Sequence, residues 1–150
     1  MSFKEKMTWV NLVVTVAIGA AYFGVVGGMV GDGSVSEIGY QWWLIGAVGV
    51  TIAATILGAI FMAIGTAIAV EVRGEGSVDD IDREDERDKT IDKRGELVGY
   101  YVSSVGILGA LALAMLRQDQ FWIANTLYLG LLVGSLVGSI AKLTFYRRGL

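Results

Sequence analysis

Four long stretches of this chain carry no charged residue, and the charged residues gather between and beside them. The uncharged stretches cover residues 8–30, 41–70, 97–116 and 120–141. A bilayer core is about 30 Å thick and needs about 20 helical residues to cross it. Each stretch is long enough, and each is apolar on all sides, whereas a soluble helix has one polar face. The pattern therefore predicts an all-α fold with four membrane-spanning helices.

The connections between these stretches decide how the helices are arranged. Residues 31–40 and 117–120 form short connections, which favour antiparallel neighbours and a four-helix bundle in a single domain over residues 1–150. The second stretch would form about 45 Å of helix, too long to fit the core by an ordinary tilt. We expect it either to project from the membrane or to bend near Gly58 or Gly65.

The basic residues predict which side faces the cytoplasm, because Lys and Arg are retained there. If the four helices alternate in direction, both termini and segment 71–96 share one side. That side holds every Lys and Arg of the chain except Arg117. We therefore predict a multi-pass protein of the cell membrane, in contact with the lipid bilayer, with cytoplasmic N and C termini.

The composition excludes several kinds of chemistry. The chain has no Cys and no His, so thiolate–zinc sites, disulfides and histidine general bases are ruled out. The four stretches also lack the membrane-embedded acid on which a proton-coupled exporter depends. The net charge of -3 favours no nucleic-acid partner. We predict no catalytic residue, no cofactor and no metal site, and we expect a protein that is not an enzyme.

Segment 71–96 is dense in charge, and its acids outnumber its bases. Ser77 followed by Asp80 resembles a helix N-cap with an acidic third residue, so a helix could run from here into the third stretch. One interpretation is a solvated, partly helical linker. The other is a docking surface for a cytoplasmic protein partner, which would explain why acids are in excess.

Small and polar residues in the fourth stretch suggest two further features. Gly130, Gly134 and Gly138 recur every four residues and form a ridge, suited either to helix packing within the chain or to a homo-oligomer face. Asn125 and Tyr128 lie one helical turn apart. This polar pair could bond across helices or line a polar pocket.

A short motif precedes the third stretch. Asp85, Glu86 and Arg87 form an acid–acid–base triplet, which Ile91 and then Arg94 follow before the apolar residues begin. From the second stretch to the C-terminal tail, this arrangement resembles a family of small integral membrane proteins of unknown function, domain of unknown function family 2178. The resemblance implies a multi-helix membrane protein with no established activity or cofactor. It also implies that the motif residues form an interaction motif.

Two functional hypotheses remain open at this point. The first is a non-enzymatic membrane protein whose acidic cytoplasmic segment docks or regulates a partner. The second is an oligomeric transport or permeation subunit for a small solute, assembled through the fourth helix. A polar cavity between the helices would favour the second hypothesis, whereas a solid core would count against it.

Overall fold

The computed structural model describes residues 3–32, 39–73 and 86–148. The described residues form four helices, and no strand occurs among them, so the all-α prediction is confirmed. The helices are α1 (Phe3–Asp32), α2 (Tyr40–Arg73), α3 (Glu86–Met115) and α4 (Gln120–Arg148). Each is long and apolar enough to cross a membrane.

The helices extend beyond the uncharged stretches that predicted them. α2 runs without a break from Tyr40 to Arg73, so it is even longer than the sequence indicated. α3 begins at Glu86, inside the charged segment, and therefore contains part of the expected helical lead-in. The predicted cap at Ser77 and Asp80 lies outside the described residues.

The turn from α3 to α4 is closed by backbone hydrogen bonds. Arg117 adopts a left-handed conformation with φ of 55°. Its N–H donates to the carbonyl of Ala114, and the N–H of Gln118 donates to the carbonyl of Leu113, both at 3.0 Å. These two hydrogen bonds together form a Schellman motif, which satisfies the last carbonyls of a helix. It reverses the chain and brings α4 back along α3.

The contacts place the helices in the order α3, α4, α1, α2, so α4 and α1 are the two inner helices. Close backbone approaches join α4 to both α3 and α1, and others join α1 to α2. Much of the large apolar surface points outward, as at Trp42, which is 80% exposed. So much outward apolar surface would be unusual for a soluble monomer and suits a helix set surrounded by lipid.

The α3–α4 contact is made by glycines. A Cβ atom added to Gly130 would lie 2.6 Å from the Cα of Gly106, and one added to Gly99 would lie 2.8 Å from the carbonyl oxygen of Gly134. The two backbones therefore touch where any side chain would hold them apart. The ridge of Gly130, Gly134 and Gly138 packs against α3 inside the chain. An oligomer formed through these glycines would have to displace α3.

Aromatic residues pack together at the opposite end of the helices from Lys4 and Lys142. Tyr22, Val26, Tyr40 and Phe121 are buried there as one cluster. The rings of Tyr40 and Phe121 meet edge to face, with centroids 5.1 Å apart. Such pairs are worth about 0.5–1.5 kcal/mol beyond their buried area. The cluster fixes the end of α1 to the starts of α2 and α4.

The glycine contact leads to a stability prediction. Gly130→Ala should force α3 and α4 apart and cost about 1–3 kcal/mol of unfolding free energy, as overpacked sites do. Gly28→Ala is the matched control, because a Cβ there meets nothing within 4 Å. Titration with sodium dodecyl sulfate, followed by circular dichroism, measures both variants. Equal loss of stability in the two would contradict the proposed contact.

Candidate functional site

Polar side chains line a cleft where α1, α3 and α4 meet. Its outer part, which we call the cleft mouth, is a cavity of about 320 Å³ at the charged ends of these helices. The polar residues around the mouth are Lys4, Thr8, Asn11, Asp92, Glu96, Ser139 and Lys142. All three helices contribute, so the mouth exists only when they pack together.

Two further cavities continue inward from the mouth. The first, about 280 Å³, shares four residues with the mouth and reaches Ser103 and Ser135 along the glycine contact. The second, about 200 Å³, lies between α1, α2 and α4 and shares Asn11 and Ser135 with the first. It extends to Thr51 and Tyr128. Because neighbouring cavities share lining residues, the three together form one cleft, which we call the polar cleft. Its two outer cavities carry most of the polar groups, whereas Val48, Ile52 and Leu132 make the innermost cavity largely apolar.

Ion pairs join the three helices at the mouth. The carboxylate of Asp92 lies 3.2 Å from the Nζ of Lys4 and 3.0 Å from the Nζ of Lys142. Lys142 also donates to Glu96, with 3.3 Å between Nζ and Oε1. The side chains of Asp92 and Lys142 are only 20% and 17% exposed. Asp92 on α3 thus bridges α1 and α4, and water screens this bridge less than it would a fully exposed pair.

A row of uncharged polar groups leads inward from these charges. The Nδ2 of Asn11 donates to the Oγ of Ser139 at 3.3 Å, which links α1 to α4. Thr15 and Ser139 are both buried. Along α4, the polar lining runs from Lys142 to Tyr128, about 21 Å at ~1.5 Å per residue. It therefore covers about two-thirds of a bilayer core about 30 Å thick.

The structure gives the two members of the predicted polar pair different roles. Asn125 is buried, and both polar atoms of its amide are hydrogen-bonded: its Oδ1 accepts from the hydroxyl of Tyr22 at 2.8 Å, and its Nδ2 donates to the carbonyl of Phe121 at 2.8 Å. Interhelical bonds of this kind average about 0.6 kcal/mol in membranes. Tyr128 packs its ring edge to face on Tyr22 and lines the inner cavity.

The motif that carries the family resemblance lies apart from the cleft. Asp85 is outside the described residues. Glu86 and Arg94 are exposed, whereas Ile91 is only 1% exposed and packs inward. The Nη2 of Arg87 donates to the carbonyl of Tyr146 on α4 at 3.4 Å. Arg87 therefore attaches the start of α3 to α4. Ile91 is buried nearby on the same helix, and the acidic and basic neighbours face outward.

Sequence reasoning did not identify most of the cleft. Asn11, Thr15 and Ser139 each appear as single polar residues in an apolar run, and Ser103 appears beside Ser104 in another. A signal was nevertheless present, because Asn11 and Thr15 are four residues apart, as are Ser135 and Ser139. Residues at this spacing share one helix face. Only the packing shows that the two faces meet.

The chemistry of the cleft is that of binding. Hydroxyl, amide, ammonium and carboxylate groups converge on the same space and can donate and accept hydrogen bonds to a solute. In the described part of the chain, no three His, Cys, Asp or Glu residues lie together as a metal site would require.

The comparisons with known proteins do not add a relative. No protein-family model, no curated protein and no solved structure matches the chain. The resemblance to the family of small membrane proteins of unknown function stays a prediction. The cleft is therefore the feature that bears most directly on function.

Proposed function

We propose that this chain is a multi-pass membrane protein that admits a small polar solute into the polar cleft, as a transport or permeation component. The observation that carries the proposal is the cleft itself, a set of connected cavities with polar side chains from α1, α3 and α4. A solid, apolar helix set would have favoured the docking hypothesis.

The energetics of the lining support this function. A polar group that faces lipid or an empty apolar cavity loses its hydrogen bonds to water and gains none in exchange, which is unfavourable. Polar cavities large enough for water hold it, whereas empty cavities are apolar. Ser103 and Ser135 line a cavity of about 280 Å³, which has room for several water molecules. The same groups could bond to a solute in place of water.

The charge distribution suggests how the cleft is oriented. The mouth lies at the ends of the helices where Lys4 and Lys142 are found. Under the positive-inside rule these ends face the cytoplasm. The aromatic cluster of Tyr22, Tyr40 and Phe121 lies at the other end. We therefore infer a cleft open to the cytoplasm and closed on the outer side by aromatic packing.

The proposed function does not require the oligomer that the glycine ridge first suggested. Three helices of one chain, α1, α3 and α4, are enough to form the cleft mouth and the cavity next to it. Gly134 and Gly138 are buried against α3 and have no free surface for a second copy. The solute path is therefore assigned to the single chain.

Uptake into proteoliposomes tests this function. Labelled glycerol, glycine, phosphate and rubidium ion form the probe set. At least one probe should enter faster than into protein-free liposomes, and Ser135→Leu should slow that entry several-fold because its side chain fills the cleft. Val133→Leu is the control, since Val133 lies on the same helix but is exposed on the outside. If no probe enters faster than into protein-free liposomes, the proposal fails.

A second candidate function has one observation in its favour. Ile91 is buried while Glu86 and Arg94 are exposed to the outside, as a docking motif would require. We therefore retain docking of a cytoplasmic partner through this end of α3. Crosslinked partners recovered with the wild type should be lost with Glu86→Ala and Arg94→Ala together. Identical partner sets would rule docking out.

A further inference from the structure

The cleft mouth is balanced in charge. Its lining contains two ammonium groups, Lys4 and Lys142, and two carboxylates, Asp92 and Glu96. They alternate in space, since Asp92 lies between the two lysines and Lys142 lies between the two acids. Any charged solute that enters must replace some of these pairs.

This balance discriminates between kinds of solute. A simple anion bound to the lysines would leave Asp92 without its cations, and Asp92 is only 20% exposed. A simple cation bound to the carboxylates would leave Lys142 unpaired in the same way. Partly buried charges without a partner are costly. A molecule that carries both signs exchanges each ion pair for an equivalent one and leaves no charge uncompensated.

We propose that the cleft mouth is a binding site for a small zwitterion with an ammonium group and an anionic group close together. This inference rests on the proposed function and specifies its substrate class. The ammonium group binds between Asp92 and Glu96, and the anionic group binds between Lys4 and Lys142. A cavity of about 320 Å³ accommodates a molecule of the size of an amino acid.

The groups deeper in the cleft suit the remainder of such a molecule. Asn11 and Ser139 line both the mouth and the next cavity, and their hydrogen bond to each other is long, at 3.3 Å. Both can reorient to bond a solute. Beyond them the cleft is lined by hydroxyls and glycine backbone, with Glu96 and Lys142 as its charged groups.

Zwitterions of this chemistry have two sources near a membrane. One is a free solute such as an amino acid, and the other is the headgroup of phosphatidylethanolamine. Binding of labelled glycine to the full chain in phosphatidylglycerol nanodiscs tests the free solute. Addition of phosphatidylethanolamine to the nanodiscs tests the headgroup, because a bound headgroup would compete with glycine. Native mass spectrometry then detects retained phosphatidylethanolamine directly.

Analogues with a single charge provide the specificity control. Acetate keeps the anionic group of glycine, and methylammonium keeps the cationic group. If the ligand is a free solute, the wild type should bind glycine at least ten times more strongly than it binds either analogue. If the ligand is a headgroup, the wild type should retain phosphatidylethanolamine at least ten times more strongly than phosphatidylglycerol. Equal binding of glycine, acetate and methylammonium, without retention of phosphatidylethanolamine, would overturn the inference.

Charge-neutralising variants should change the specificity in opposite directions. Asp92→Asn leaves the lysines in excess, so glycine binding should fall about tenfold while acetate binding rises. Lys142→Gln should lower glycine binding and favour methylammonium. Glu96→Gln should weaken glycine binding without disturbing the fold, because that carboxylate is 70% exposed. Asp88→Asn, one turn away and outside the mouth lining, should bind as the wild type does.

The outcomes separate this inference from the proposed function. If the uptake assay shows entry of glycerol or an ion but glycine and phosphatidylethanolamine do not bind, the zwitterion site is wrong and the transport function stands. If the three mouth variants, Asp92→Asn, Lys142→Gln and Glu96→Gln, bind glycine as the wild type does, binding lies elsewhere and the inference fails. A shift of specificity toward acetate in Asp92→Asn cannot arise from misfolding, and it would support the site.

Discussion

The backbone contact between α3 and α4 is the interaction on which the rest of this structure depends. Lipid gives helices little hydrophobic reason to associate, so they hold together where their surfaces come very close. Gly99 and Gly106 meet Gly130 and Gly134 at distances that exclude any side chain. This contact fixes the register of the two helices. It therefore places Asp92 and Glu96 on α3 opposite Lys142 on α4.

The third side of the cleft is supplied by α1, which is held by polar contacts. Lys4 pairs with Asp92, Asn11 bonds to Ser139, and near the other end Tyr22 bonds to Asn125. The first two of these contacts line the cavities and the third lies beyond them. The groups that attach α1 are thus partly the groups that a solute would meet. Binding of a solute in the mouth would compete directly with the attachment of α1.

The sequence predicted where the helices lie in the chain better than it predicted which sides of them contact one another. The uncharged stretches locate all four helices because length and apolarity suffice for a membrane span. The ends are less predictable: α3 begins at Glu86 because a charged run without Pro can continue a helix into water. The glycine ridge was visible from its spacing, but whether it meets α3 or another copy depends on tertiary packing.

The cleft was the least predictable feature. Asn11 and Ser139 are far apart in the chain, and neither stands out from the other polar residues of its helix. Whether two such residues meet depends on the rotation of each helix about its axis, which the even apolarity of the helices leaves undetermined. The spacing of Asn125 and Tyr128 predicts a polar pair, yet Asn125 makes a buried hydrogen bond whereas Tyr128 forms part of a cavity wall.

The central claim is that water reaches the polar cleft between tightly packed helices. The natural absence of Cys allows a single thiol to test it, at Ser135 in the cleft or at Val133 on the outer face of the same helix. Only the thiolate reacts, and it forms where water is present. With a membrane-impermeant methanethiosulfonate cation and protein in nanodiscs, Ser135→Cys should react about tenfold faster than Val133→Cys. Equal, slow rates at both positions would show a dry interior and contradict the account.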